Sequence, residues 1–475
     1  MYKKFSSFEE LVLDFKKRDL IALKFADDED NIHEISYAEL AEMIISETER
    51  IKAKHGDIEV VRDEQSPETI VSIFAHVMAG CDIIMADPMV PDDAVSKASA
   101  AAAAAKAARP KTEGEGELLF FTSGTTSRSK IVRLTSRSFC TSAWSGQSML
   151  ACGEGDVILS ILPLSHVFGF VCSMLWGFAY GATIALGRGV RHIIDDTLFF
   201  RPTILPAVPT LIGAMLKYDT LNPELKVALI GAAPCTAEVT AALRAKGIDV
   251  YLGYGLTETA PLICDAGPKR THIGTTGTAS FGVSVRLADV NPETGQGELQ
   301  VKGPNVMLGY YKDYLRTKAV MTEDGWMRTG DMATVDKKGR YSILGRMGNV
   351  IIGSSGENIY PEEIESVINN IGGVNDSLVI SRAGQLVALV QFSEGTIDWG
   401  LEGEDKFIET LEQKKKEVMD FVNSKVSQFL KIKDVEVMKE PFNKTATHKI
   451  RRFLYQDKTN QPQKADTPAA DTGNK

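Results

Sequence analysis

Leu118-Leu-Phe-Phe-Thr-Ser-Gly-Thr-Thr-Ser-Arg-Ser-Lys130 joins a four-residue apolar run to a stretch of hydroxyls, one glycine and a lysine. A short buried strand that opens into such a loop carries the chemistry needed to hold a polyphosphate. Glycine lets backbone N–H groups approach the anion, hydroxyls donate to its oxygens, and lysine neutralises its charge. The stretch is not a G-x-x-x-x-G-K-[ST] loop, because Ser129 stands where that pattern needs glycine and Ile131 where it needs Ser or Thr. The rival reading is a plain Ser/Thr/Gly turn after a strand.

Outward from this loop, the chain alternates short apolar runs with helical patterns. Glu59-Val-Val-Arg62 and Cys81–Met85 read as strands around a helix over Pro67–Ala79. Strand patterns also fall at Thr203–Pro209, Lys226–Ile230 and Asp249–Leu252, with helices at Leu211–Lys217 and Ala237–Ala245. Such βαβ alternation predicts an α/β fold with parallel sheets. From Gly274 to Tyr311 the pattern turns glycine-rich and alternating, which predicts an antiparallel β subdomain. Six alanines at 100–105 and Thr112-Glu-Gly-Glu-Gly-Glu117 read as an exposed helix and a flexible loop. Gly345-Arg346 is the expected boundary. It gives a large domain over 1–345, a small mobile α+β domain over 346–457, and a disordered tail over 458–475 rich in Lys, Gln, Pro, Asp and Thr.

The 475 residues carry a net charge of −10, which disfavours a broad nucleic-acid surface. Six cysteines are scattered without a C-x-x-C pair and read as small core residues of a reducing compartment. Met1-Tyr-Lys-Lys leads into a polar, acidic segment rather than a secretory signal, so a cytoplasmic protein is expected. Val157–Gly187 contains no Asp, Glu, Lys or Arg, but Pro163, Ser165, His166 and three glycines interrupt it. A buried strand, helix and strand fit it better than a membrane span; peripheral membrane contact stays open.

Four further motifs follow the loop in order. They are Pro163-Leu-Ser-His166 with Val-Phe-Gly169; Gly231-Ala-Ala-Pro234 with Gly253-Tyr-Gly-Leu-Thr-Glu258; Thr329-Gly-Asp331 with Gly345-Arg346; and Lys449 within Asn443–Arg452. Together, over about residues 65–455, they resemble the adenylate-forming (AMP-binding) enzymes, and most closely the long-chain fatty acyl-CoA synthetases. The resemblance implies that Thr122, Ser123, Gly124, Thr125, Thr126 and Lys130 hold the β- and γ-phosphates of ATP. Tyr254 would stack on adenine, with Gly231, Ala232, Ala233 and Pro234 against its other face, and Gly255 would sit beside them. Thr257 would touch the α-phosphate and Glu258 would bind Mg²⁺. Asp331 would accept the ribose hydroxyls, since a carboxylate has lone pairs for two donors. Arg346 would contact ribose and phosphate.

The resemblance also gives Lys449 and His166 catalytic roles. A cation between an attacking carboxylate and the α-phosphate relieves the repulsion of two anions. The rival for Lys449 is an ordinary basic surface run of Lys444, Lys449, Arg451 and Arg452. His166 would sense or gate the acyl group. Gly348, Gly356 and Glu357 would form the hinge and thiol tunnel of a domain that swings between two half-reactions. The implied chemistry is acyl-adenylate formation with release of pyrophosphate, then transfer to the thiol of coenzyme A. Gly356-Glu-Asn-Ile-Tyr-Pro361 and the uncharged runs Phe168–Tyr180 and Ile204–Met215 lean toward a fatty acid. Two alternatives stay open: transfer to an acyl-carrier-protein thiol, and a non-catalytic acyl- or nucleotide-binding protein. Ser127, Ser129, Ile131, Gly348 and His448 depart from the family pattern without removing a charge the chemistry needs.

Overall fold

The structure, a computed structural model, describes residues 2–51, 58–87, 114–122, 130–189, 191–233, 235–267, 274–353, 357–393, 395–397, 399, 404–444 and 450–456. The chain divides into two compact units, Met1–Gly348 and Asn349–Lys475.

The first unit is built on two large sheets. Five parallel strands form the middle of the nine-stranded sheet, in the order Asp249–Tyr254, Val227–Ile230, Ile204–Ala207, Val157–Ser160 and Thr183–Leu186. Val227–Ile230 and Ile204–Ala207 are buried along their whole length, as expected for strands covered on both faces. Ile21–Ala26 extends one side in parallel and Cys264–Ala266 the other in antiparallel. The five-stranded sheet pairs Ile58–Arg62, Asp82–Ala86 and Leu118–Phe121 in parallel, then adds Ile131–Leu134 and Gly309–Tyr310 in antiparallel. Helices start where the sequence marks them. Ser66, ahead of Pro67, accepts the Thr69 N–H, and Thr135 accepts the Ser138 N–H.

Several expectations are corrected by packing. The Val167–Tyr180 stretch becomes a π-helical segment, Gly169–Leu175, followed by an α-helical turn, Trp176–Tyr180. A Cβ on Gly169 would lie 2.2 Å from the Pro163 carbonyl oxygen, so glycine is needed where this helix leaves the turn. Phe170, Met174, Leu175 and Phe178 are fully buried with Phe8, Phe74 and Phe139, in a core that also takes in Ile204, and Leu205, Ile212 and Met215 belong to a second core. Most of the first run, and Ile204–Ala207, Ile212 and Met215 of the second, are therefore core rather than walls of an acyl tunnel. Burial against a sheet demands the same uncharged side chains as a ligand wall does. Residues 114–117 are also not a loose loop. Glu115 accepts the Phe8 and Glu9 N–H groups at 3.2 and 2.6 Å, and a Cβ on Gly116 would lie 1.8 Å from the Cys81 carbonyl oxygen. The alanine run lies outside the described residues. Among the described residues, no helix is long and apolar enough to cross a membrane.

The expected antiparallel β subdomain is a four-stranded sheet of Ser284–Ala288, Gly297–Lys302, Met327–Val335 and Tyr341–Arg346. Its last strand carries Arg346 opposite Asp331, and the first unit runs on to Gly348.

In the second unit, Val374–Arg382, Gln385–Phe392 and Asp434–Val437 form a sheet packed on the helices Pro361–Ile368 and Glu404–Lys425. The basic run near its end is not a free surface. Lys444 pairs with Asp376 at 2.6 Å, and the Arg452 guanidinium bonds the Glu365 carboxylate and lies 3.7 Å from Glu362. Glu365 also accepts the Val379 N–H at 2.7 Å, and burial pushes its carboxyl up despite Arg452. Arg452→Ala leaves that carboxylate buried without its cation and is expected to destabilise this unit by about 3–5 kcal/mol. Lys444→Ala, at a more exposed pair, is expected to cost under about 1 kcal/mol. Denaturant unfolding of the full chain measures both, and equal effects would contradict this ranking.

Candidate active site

Leu118–Phe121 and Ile131–Leu134 make the loop a hairpin, closed by the Thr122 N–H bonding to the Lys130 carbonyl at 2.9 Å. Ser123, Gly124, Thr125 and Thr126 lie outside the described residues, so the loop's grip on phosphate is read from its two feet. Thr122 Oγ1 is buried and has no hydrogen-bond partner among the described residues. Lys130 places its ammonium 4.8 Å from the centre of the Tyr310 ring, and burial pulls its pKa down. Tyr310 arrives on the strand paired with Ile131–Leu134 and donates its hydroxyl to Glu258 Oε1 at 2.8 Å. Burial and the neighbouring Glu258 push the Tyr310 phenol up, so it stays a donor. Lys130 and Glu258, 128 positions apart by number, meet on one tyrosine.

A second cluster forms around Asp331. Its carboxylate is 4% exposed, accepts the Tyr254 hydroxyl on Oδ2, and pairs with Arg346 Nε on Oδ1 at 2.8 Å. Arg346 Nη1 also donates to the Thr329 carbonyl at 3.0 Å, and the Asp331 N–H donates to Thr329 Oγ1 at 3.1 Å. Tyr254 and Arg346 fix the orientation of this carboxylate, a group with lone pairs enough to accept two vicinal hydroxyls. Burial, followed by the adjacent Asp331, pushes the Tyr254 phenol up.

Between the clusters, the Asp249–Tyr254 strand runs through Gly255 into a 3₁₀ turn at Thr257–Thr259. A Cβ on Gly255 would sit 1.3 Å from the Pro261 carbonyl oxygen. Asn305, fully buried, donates to the Thr259 and Leu262 carbonyls at 2.9 and 2.6 Å, and the Met307 N–H bonds the Glu258 carbonyl at 2.9 Å. Thr257 and Glu258 are thus held from the backbone outward.

Gly231 ends the Val227–Ile230 strand, and the Phe168 ring lies so close that a Cβ there would meet it at 3.0 Å. Ala232 adopts φ 67°, a left-handed conformation that costs a non-glycine residue about 1 kcal/mol. Ala232 and Ala233 are exposed at the strand's carboxyl end, where open parallel sheets bind ligands; Pro234 lies outside the described residues. His166 Nε2 is 3.8 Å from Asp87 Oδ2. The turn that carries His166 rests on Asp63, which is 4% exposed and accepts the Ser165 N–H at 3.0 Å.

Burial pushes the Asp63 carboxyl up to about 6, against the opposing pull of the Ser165, Leu164 and Gln65 N–H groups. Its folded value lies above its unfolded one, so the stability it contributes is full at low pH and is lost as pH rises toward about 6. Between pH of about 4.5 and 7.5, wild type should lose roughly 1–3 kcal/mol relative to Asp63→Asn. A pH-independent difference in denaturant unfolding would count against this burial effect.

Lys449 and Gly356 lie outside the described residues. Lys449 falls between Lys444 and Ile450, which form an antiparallel bridge, and Arg451 N–H bonds the Asn443 carbonyl at 2.9 Å. Gly348 is the last residue of the first unit, with open space around its Cα. Glu357 folds over Gly353, bonding its N–H at 2.8 Å, at the base of the Ile351–Ile352 and Asn358–Ile359 ladder. Tyr310, Asn305 and Asp63 are not marked by any local sequence pattern. Gly309-Tyr-Tyr311 and the strand end at Asp63 are the nearest cues.

Residues 98–311 match the model of the AMP-binding enzyme family. A 2-succinylbenzoate–CoA ligase of Bacillus velezensis is 35% identical over 258 residues, 53% of this chain and 52% of that ligase. A 3-[(3aS,4S,7aS)-7a-methyl-1,5-dioxo-octahydro-1H-inden-4-yl]propanoyl:CoA ligase of Rhodococcus jostii is 32% identical over 341 residues, 67% of this chain and 63% of the ligase. The chain thus spans about half the length of the first of these curated relatives and under two thirds of the second. The crystal structure of o-succinylbenzoate CoA synthetase from Bacillus subtilis, bound to its acyl-adenylate, superposes with a TM-score of 0.77 at 22% identity, covering 94% of this chain and 98% of that one. This chain has the adenylate-forming, acyl-CoA synthetase-like α/β fold, and its residues 98–311 are similar to the AMP-binding enzyme family.

Proposed function

We propose that the protein activates a carboxylic acid with ATP and passes the acyl group to coenzyme A. The observation that carries this reading is the buried Asp331, oriented by Tyr254 and Arg346, in the same unit as the Lys130–Tyr310–Glu258 cluster. One cluster offers acceptors for a ribose and the other offers a cation and a carboxylate for a metal-bound polyphosphate.

In the first half-reaction a carboxylate oxygen attacks the α-phosphorus and pyrophosphate leaves. In the second, a thiol sulfur attacks the acyl carbon, AMP leaves, and the thiol proton passes to solvent. Lys130 neutralises phosphate charge, Asp331 orients the ribose, and Lys449 stabilises the charge that builds as two anions meet. Glu258 fits a hard cation. Tyr310 occupies one of its oxygens, the other has no hydrogen bond among the described residues, and phosphate and water oxygens would complete the shell. Among the described residues no group of three acidic, His or Cys side chains could hold a metal without such help. Bound there, Mg²⁺ would supply charge neutralisation to the phosphates.

The acid is best read as ring-bearing, with its carboxyl on the ring or on a short arm. Both relatives named above are CoA ligases for ring-containing acids, and their names support coenzyme A over a carrier-protein thiol. The fatty chain expected from sequence loses its structural basis, because much of the supposed tunnel wall is core. A pyrophosphate-release screen across aromatic, bicyclic, short-chain and long-chain acids, with and without coenzyme A, tests this. Release with ring-bearing acids, with thioester formed only when coenzyme A is present, is the expected result. Activity confined to long-chain acids would overturn the substrate assignment.

A further inference from the structure

The turn that presents His166 is held by two side chains from a different sheet. Asp63 and Gln65 follow the Ile58–Arg62 strand of the five-stranded sheet, whereas Ser160 to His166 follow a central strand of the nine-stranded one. Asp63 Oδ2 accepts the Ser165 N–H at 3.0 Å. Gln65 Nε2 donates to the Leu162 carbonyl at 2.9 Å, and its Oε1 accepts the Ser160 hydroxyl at 3.0 Å. Gln65 does so from a left-handed backbone, φ 50°, a conformation that side chains such as glutamine rarely adopt. Asp63 is 4% exposed, and its Oδ1 is buried without a hydrogen-bond partner among the described residues. An apolar residue would remove that desolvation cost, so the carboxylate is explained by what it orients rather than by stability.

The held turn leads to His166 and, two residues on, to Phe168. His166 stands 3.8 Å from Asp87, at the end of the neighbouring Asp82–Ala86 strand, and Phe168 packs on Gly231, at the head of the proposed adenine strip. We propose that Asp63, with Gln65, is a positioning residue for the acid-binding half of the site, fixing the Leu162–His166 turn and through it His166. This rests on the acid-activating reading above. The residues that would meet ATP phosphates and ribose hang on other elements, and Phe168, which packs on Gly231, lies beyond the held Ser160–Ser165 stretch, so this device acts on the acid.

The test uses the full chain with Asp63→Ala, Asp63→Asn and Gln65→Ala, reading pyrophosphate release with the best acid of the screen. Asp63→Ala and Gln65→Ala should raise KM for the acid about 10- to 100-fold, with KM for ATP held within about twofold. Asp63→Asn keeps an oxygen acceptor for the Ser165 N–H and should recover most of the loss. A rise shared equally by acid and ATP, an unchanged acid KM, or an Asn variant no better than Ala would overturn the assignment. Should Asp63→Ala not fold, Gln65→Ala decides by the same split. Hydrogen exchange of the peptide over 160–168 decides independently of turnover. It should quicken in the Ala variants while the peptide over 249–258 keeps its protection, and unchanged exchange over 160–168 would overturn the proposal. If wild type activates no acid yet that exchange result holds, the functional reading fails, and with it the role toward the acid, while the fixing of the turn by Asp63 and Gln65 stands.

Discussion

Lys449→Ala is expected to lower acid-dependent pyrophosphate release about 10²- to 10³-fold, the scale of losing one preorganised charge-stabilising group. The carboxylate and the α-phosphate are both anionic, and a lysine ammonium relieves their repulsion without a proton transfer. The segment around it is held by other residues. Lys444 and Ile450 form a bridge, Arg451 bonds back to Asn443, and Arg452 is tied to Glu365. Removing the Lys449 side chain should therefore leave unfolding stability within about 0.5 kcal/mol and AMP affinity near wild type. Release within about twofold of wild type would show that Lys449 has no part in the chemistry.

Gly255→Ala is the second large expected effect, and it acts through the backbone. A Cβ placed 1.3 Å from the Pro261 carbonyl oxygen cannot be accommodated by a rotamer change, because the backbone fixes where Cβ stands and the oxygen belongs to the main chain. The strand end must move, and with it Tyr254 on one side and Glu258 on the other. Overpacking of this kind costs about 1–3 kcal/mol or more. Displacing both nucleotide-facing side chains should weaken AMP binding well over tenfold, on the scale of about 10² for a misplacement near 1 Å. Calorimetric titration with AMP measures this. An affinity unchanged from wild type would contradict the placement of Tyr254 and Glu258 about the nucleotide.

Much of this arrangement is legible in the chain because its signals are local. Ser66-Pro67 announces a helix start, Leu118–Phe121 announces a buried strand, and Gly345-Arg346 announces a boundary that falls at Gly348. What escapes is set by distant partners. Tyr310 matters because its strand pairs with the one after the phosphate loop, which brings it between Lys130 and Glu258. Asp63 matters because two sheets bring its carboxylate under a turn about a hundred residues away. The helix after His166 misleads for a different reason. An uncharged run satisfies a core and a ligand wall equally, and only the aromatic contacts of Phe170 with Phe120 and Phe139, at 5.6 and 4.7 Å between ring centres, assign it to the core.

The most direct test is to incubate the protein with Mg²⁺, ATP and a ring-bearing acid such as 2-succinylbenzoate, without coenzyme A, and to look for acyl-AMP by mass spectrometry. The expected result is acyl-adenylate retained by the protein and discharged as thioester when coenzyme A is added. Protein that binds ATP but forms no acyl-adenylate from any carboxylic acid supplied would contradict the proposed chemistry.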